Sequence, residues 1–220
     1  MSSSYERVNY ITSFGFSIRW RKQFLKVIPK NLNNISVLDL MTGMGEIWHP
    51  VKNQFPNCSF TALDFSDSML EKARIKNQKQ FNDSIHIVNQ DALNSNLKNE
   101  SYDVILSAFG LKTFNNSQLE KLAFETKRLL KSGGFFSFIE VSEPNNILLK
   151  KIFKFHLKYT VPISGKLLLG NPQEYRMLWK YTKAYKNSIT VKKIFEDTGL
   201  NVNYHSYFGG CATGISGVKQ

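Results

Sequence analysis

Residues 36–46 read SVLDLMTGMGE, and the architecture follows from how that stretch breaks. The apolar run of Val37, Leu38 and Leu40 surrounds Asp39 and is followed at once by Gly43 and Gly45, the pattern of a buried strand entering a tight turn before a helix. Glycine lets the backbone approach a ligand closely, and the following helix aims its unpaired amides at it, so the turn suits a nucleotide-type site. Two glycines also occur in ordinary strand-to-helix turns. Their meaning depends on the rest of the chain.

Downstream, CSFTALDFSDSMLEKAR (58–74) repeats the unit: a strand to Asp64, a Ser66 cap, and a helix carrying Met69, Leu70 and Ala73. Asp64 stands about twenty residues past the glycines, where an acid at a strand end can accept both ribose hydroxyls of a nucleoside. A third strand, Ile85 to Val88, leads to Asp91, which either accepts from an adenine amino group or makes a turn. SYDVILSAFGLKTF (101–114) is a continuous apolar strand suited to the middle of a parallel sheet. The loop from Phe109 to Phe114 lies at its carboxyl end, the side on which open α/β sheets hold ligands. A helix over 117–130, a turn at SGG and the strand FFSFIEV (135–141) continue the alternation. Near the end come a helix over 191–198 and two strands reversing at Gly209 and Gly210. The expected fold class is α/β, a doubly wound, mostly parallel Rossmann-like sheet with a C-terminal antiparallel hairpin and a helical lid insertion.

Three segments remain, of which only 145–170 breaks that rhythm. After an aromatic arm (Tyr5, Tyr10, Phe14, Phe16), Ile18, Phe24, Leu25 and Ile28 interleave with basic residues, which predicts an amphipathic helix ending at Pro29. A short helix is expected over Trp48 to Phe55, around Pro50. In 145–170, Leu148, Leu149, Ile152, Phe153 and Leu157 give one apolar face, and Lys150, Lys154 and Lys158 recur every fourth residue on another. That pattern is either a solvated face over a buried one or a cationic edge resting on lipid.

With 220 residues the chain suits one domain, with 1–30 as an N-terminal lid and helix and 145–185 as a helical cover over the substrate. Hydrophobic content of 42% and charged content of 21% are those of a globular protein, and no apolar run approaches the roughly 20 residues of a membrane span. Cys58 and Cys211 are too few for a disulfide framework, and MSSSYERVNY lacks the pattern of a secretion signal. A cytoplasmic location is expected, with peripheral contact at the inner membrane face left open. A net charge of +12 would attract an anionic partner, but the lysines are scattered and form no RNA-binding motif, which argues against nucleic acid. No metal site is expected, and the oligomeric state is not legible.

Together, Gly43, Gly45, Asp64, Asp91 and RLLKSGGFFSFIE (128–140) resemble a class I S-adenosylmethionine-dependent methyltransferase. The terminal hairpin and the missing full GxGxxG pattern argue against a dinucleotide-binding dehydrogenase. Within that superfamily the chain is similar to the ubiquinone and menaquinone C-methyltransferases. The resemblance rests on Tyr5, Asn9, Ser13, Gly15, Trp20 and Arg21, on SAFGLKTF (107–114), and on VPISGKLLLGNPQEYRML (161–178). It implies S-adenosyl-L-methionine as cofactor, held by Asp39, Gly43, Gly45, Asp64, Phe65, Asp91, Ala92 and Ser107. It also implies a small aromatic or quinol-like acceptor, lipid-linked or free.

The acceptor pocket is expected to be walled by Phe14, Trp48, Phe109, Phe114, Tyr159 and Tyr175, whose ring faces suit a flat acceptor and a sulfonium. Lys112 would favour a phenolate, with His156 or His49 taking a proton. Three departures from the family pattern stand out: Met41 and Thr42 replace small residues of a DLAGGTGD turn, Lys112 and Thr113 replace Arg and Asn, and GGCATGISG (209–217) replaces a GGVVALHRG-like ending. An oxygen or nitrogen acceptor on another metabolite, and a cofactor-binding scaffold without catalysis, are the alternatives.

Overall fold

The computed structural model describes residues 15–163 and 177–220. Phe14 and Tyr175, both expected at the acceptor pocket, lie outside the described residues.

A seven-stranded sheet runs in the order β3-β2-β1-β4-β5-β7-β6. β1 (Ser36–Leu40) pairs in parallel with β2 (Ser59–Asp64) on one side and with β4 (Tyr102–Ala108) on the other. β3 (Ile85–Asn89) lies beyond β2. The chain direction of winding reverses between β1 and β4, which opens a crevice at their carboxyl ends. β7 (Ala212–Val218) inserts antiparallel between β5 (Leu130–Val141) and the edge strand β6 (Asn201–Tyr207), so the expected terminal hairpin is present.

Strand alternation sends side chains to two cores. Val37, Val104 and Leu106 meet α1 (Phe16–Gln23), α2 (Trp48–Gln54) and α3 (Asp67–Phe81), where Trp20, Phe24, Trp48, Val51 and Leu70 are buried. Leu38, Leu40 and Ile105 meet α4 (Asn116–Leu129) and α7 (Ile189–Asp197) through Leu122, Ala123 and Phe195. A capping box fixes the start of α4: Asn115 accepts from the Gln118 amide while the Gln118 side chain accepts from the Asn115 amide.

Two local expectations are corrected. Ser66 makes no side-chain cap; instead its amide donates to Asp64 Oδ1 at 2.9 Å, so Asp64 tethers the chain as it enters α3. The SGG segment is not a break between helix and strand. β5 starts pairing at Leu130, and a bulge with Gly133 at φ 75° absorbs the extra residues before Phe135 resumes the register. After β5 come α5 (Ile147–Phe155), prolonged by a π-helical turn (His156–Thr160), and α6 (Leu178–Tyr185).

Candidate active site

The turn after β1 is built from below. Asp39 shares its side of the sheet with Val37 and is 2% exposed, under α2. Thr42 Oγ1 donates to Asp39 Oδ2 at 2.5 Å and accepts from Trp48 Nε1 at 2.8 Å. Burial pushes the Asp39 carboxyl up to about 8, Thr42 opposes that rise, and the Glu46 and Asp64 charges reinforce it. Trp48 is therefore not a pocket wall as the sequence suggested. It is wholly buried, and a Cβ on Gly45 would come within 2.5 Å of its indole. The flat ring under the turn and the φ of 79° both require glycine at 45.

Above the turn, the Gly43 amide donates to Asp64 Oδ2 at 2.8 Å. Each Asp64 oxygen thus takes one backbone amide and keeps acceptor capacity for a hydroxyl. Beside it the Phe65 ring is 72% exposed at the end of β2. Asp91 is exposed, with Oδ1 accepting from the Leu93 amide in an Asx turn, and Ala92 is buried behind it. Ser107 is wholly buried, and its hydroxyl has no hydrogen-bond partner among the described residues.

A cavity of about 650 Å³ opens from this turn. Its floor is Met41, Gly43 and Glu46, one wall is Ala108, Phe109 and Gly110, and the remainder comes from α1, α5, the π turn and Phe208. Met41 and Phe109 both hold left-handed φ angles, 60° and 70°, which bulky residues seldom adopt. Met41 lies against Gly110, where a Cβ would meet its sulfur at 2.7 Å. The bulk at 41 is therefore matched by the missing side chain at 110.

Among the expected residues, Gly43, Phe109, Lys112 and His156 line this cavity. Phe114 packs on the α4 core, and Tyr159 is exposed against Phe155; neither reaches it. His49 also lies elsewhere, bonded to Gln80 and packed at a tilt against the Phe81 ring. Lys112 is occupied: its ammonium donates to Glu140 Oε1 at 2.9 Å and to the Phe109 carbonyl at 2.7 Å, and its amide donates to Glu140 Oε2. Glu140 is wholly buried, so this pair fastens the Phe109 loop to β5 rather than presenting a loose cation to a ligand.

A second cation at the cavity is Arg21, quoted above for the resemblance but given no role at the site. It lines the cavity with its guanidinium carbon 4.9 Å from the centre of the Phe109 ring, and its buried Nε has no hydrogen-bond partner among the described residues. The buried indole Nε1 of Trp20, also on the cavity wall, is likewise unpartnered among them. Glu46 was missed too. Its place three residues past Gly43, directly after the second glycine of the turn, was the available signal.

A glycine turn at the switch point, a carboxylate bracketing it from the next strand and an adjoining apolar cavity define an S-adenosylmethionine-dependent methyltransferase. Solved structures agree on the fold: a SAM-dependent methyltransferase from Aquifex aeolicus superimposes with a TM-score of 0.63 at 20% identity over 90% of this chain and 88% of that one. Phosphoethanolamine N-methyltransferase 2 of Haemonchus contortus, in complex with S-adenosyl-L-methionine, gives a TM-score of 0.65 at 14% identity, covering 91% and 52%. More particularly, the chain belongs to the ubiE/COQ5 methyltransferase family, whose pattern it matches over residues 1–219. Demethylmenaquinone methyltransferase of Staphylococcus haemolyticus is 31% identical across 100% of this chain and 91% of its own length, and that of Listeria welshimeri 29% across 100% and 93%. The cofactor is S-adenosyl-L-methionine, and the chain is an enzyme of methyl transfer. The residues present fit that cofactor: Gly43 leaves the backbone bare, the Asp64 carboxylate retains acceptor sites, and Phe65 offers an uncovered ring.

Proposed function

We propose that this enzyme methylates a ring carbon of a quinol-type acceptor, as the names of its relatives suggest for theirs. The observation that carries the reading is the cavity itself. It joins the glycine turn to a chamber of aromatic and aliphatic walls in which Arg21, Glu46 and His156 are among the few polar groups. Such a chamber suits a flat, apolar ring bearing one or two oxygens.

Gly43, Asp64, Phe65 and the Asp91–Ala92 turn would hold the nucleoside, with Asp39, Gly45 and Ser107 shaping the floor beneath it. When bound, the cofactor supplies a methyl group already activated by its sulfonium. The protein then has to align the acceptor and keep water out. Phe16, Trp20 and Phe153 exclude water, and Arg21, held over Phe109, stabilises a phenolate oxygen that enriches the ring carbon in electrons. His156, which also lines the cavity, is the group that takes the hydroxyl proton.

The test is turnover of the purified enzyme with S-adenosylmethionine and a reduced demethylated naphthoquinone bearing a short side chain. The expected product is heavier by one methyl group and oxidises to a quinone. An O-methylated product, which cannot oxidise in that way, would replace carbon by oxygen as the acceptor atom. No S-adenosylhomocysteine from any quinol would remove the quinol reading.

A further inference from the structure

The apolar arc of α5 is wider than the cavity needs. Leu149, Phe153 and Leu157 turn inward, and Leu157 is 5% exposed. The sequence reading grouped Leu148 and Ile152 with that buried face, yet they are 68% and 58% exposed. Ile147, Phe155 and Tyr159 are exposed beside them. At helical spacing these residues form a strip along the outer side of α5 and the π turn. Ile152 and Phe155 belong both to this strip and to the cavity wall, so the apolar surface continues from solvent into the chamber.

Lys150, Lys151, Lys154 and Lys158 border the strip, and no acidic residue occurs between Asn145 and Ile163. Lys150 reaches back to Glu143 at 2.9 Å, while Lys151 and Lys154 are exposed. A second copy docked symmetrically on this face would set lysines against lysines, in a chain that already carries +12. An apolar strip whose own segment carries lysines and no acidic residue matches a bilayer of anionic lipid, where the strip enters the headgroup boundary and the ammonium groups remain at the phosphates.

We infer that α5 seats the enzyme on an anionic membrane surface with the cavity mouth facing the hydrocarbon. A lipid-linked acceptor then moves from bilayer to chamber without crossing water. The role given to the docking rests on the quinol reading above; the docking itself does not.

Sedimentation with phosphatidylcholine vesicles, with and without phosphatidylglycerol, tests it. The wild-type protein is expected to bind only the anionic vesicles, and less as salt is raised. The double variant Ile147→Glu, Leu148→Glu changes exposed residues that do not line the cavity. It should lose roughly tenfold or more of that binding, while calorimetry with S-adenosylmethionine is unchanged. Lys151→Gln with Lys154→Gln should lower anionic binding and its salt dependence together. Equal binding by wild type and the Glu variant, no binding to anionic vesicles, or a wild-type dimer dissolved by the Glu variant would each overturn the inference. Because vesicle binding is read without turnover, failure of the quinol assay would leave this result standing on its own.

Discussion

Asp39 is a single buried group beneath the glycine turn, bonded to the turn through Thr42. Its carboxyl, raised to about 8 chiefly by burial, holds a proton through the neutral range, and Thr42 links it to Trp48. The Met-Thr departure from the family turn is thus half explained: Thr42 is the middle of a hydrogen-bonded relay that ties strand, turn and α2 together. The linkage has a definite sign. Between the ordinary carboxylate value and about 8 the folded state binds this proton and the unfolded state does not, so the group makes stability fall as pH rises through that window. The slope reaches at most about 1.4 kcal/mol per pH unit. Asp39→Asn, which keeps the shape and cannot ionise, should lose that component. Urea melts from mildly acidic pH to above the Asp39 value are expected to show the wild type falling relative to the variant. A constant difference between the two would mean that Asp39 is ionised throughout.

At the scale of elements, the turn and the strands around it are governed by close approaches. Gly45 is the tightest point of the first turn, and Gly45→Ala adds both a positive-φ penalty of ~1 kcal/mol and an overlap with the Trp48 indole. Loss of at least roughly 2 kcal/mol of stability is expected, together with weakened S-adenosylmethionine binding, measured by thermal melting and calorimetry. Unchanged melting would show that Trp48 can move aside freely. The same logic applies to the C-terminal ending, where Gly214 replaces the Leu of the family-like pattern and Gly217 is shared with it. A Cβ at Gly217 would lie 1.9 Å from the Asn201 carbonyl, and one at Gly214 2.4 Å from that of Phe138, so β7 fits between β5 and β6 because those side chains are missing. Such pairings also mark what was legible beforehand. Apolar runs broken by glycine specify the βα units, and the offset of Asp64 from the glycines singled it out as a site candidate, though not as the acceptor of the Gly43 amide. Contacts between distant stretches left no periodic trace. Lys112 with Glu140, and Arg21 over Phe109, join residues whose neighbours in sequence say nothing of each other. Trp48 misled because an aromatic beside a glycine turn can face either the pocket or the core, and only packing decides.

Across the whole molecule, the site exists only when the sheet is assembled. Its parts come from the β1 turn, the ends of β2 and β4, α1, α5 and the loop before β7. An unfolded chain presents none of these together, so a ligand of the cofactor site must bind the folded state alone and shift its stability by mass action. At a hundredfold excess over Kd, S-adenosylhomocysteine should add about 2.7 kcal/mol, which for a chain of this size is a rise in Tm of roughly 5–10 °C. The division of labour within the site makes the measurement more telling. Asp64 brackets the glycine turn, whereas Arg21 stands across the cavity beside Phe109. Asp64→Ala should therefore abolish most of the shift, because it removes the anchor of the Gly43 amide along with the carboxylate proposed to accept from the ribose. Arg21→Ala should leave the shift intact and lower quinol turnover by about tenfold or more, in line with the loss of one charge-assisted contact. A full shift in both variants would take Asp64 out of the cofactor site. A shift lost in both would mean that α1 and the glycine turn form one cooperative unit, with Arg21 acting through the fold rather than on the acceptor.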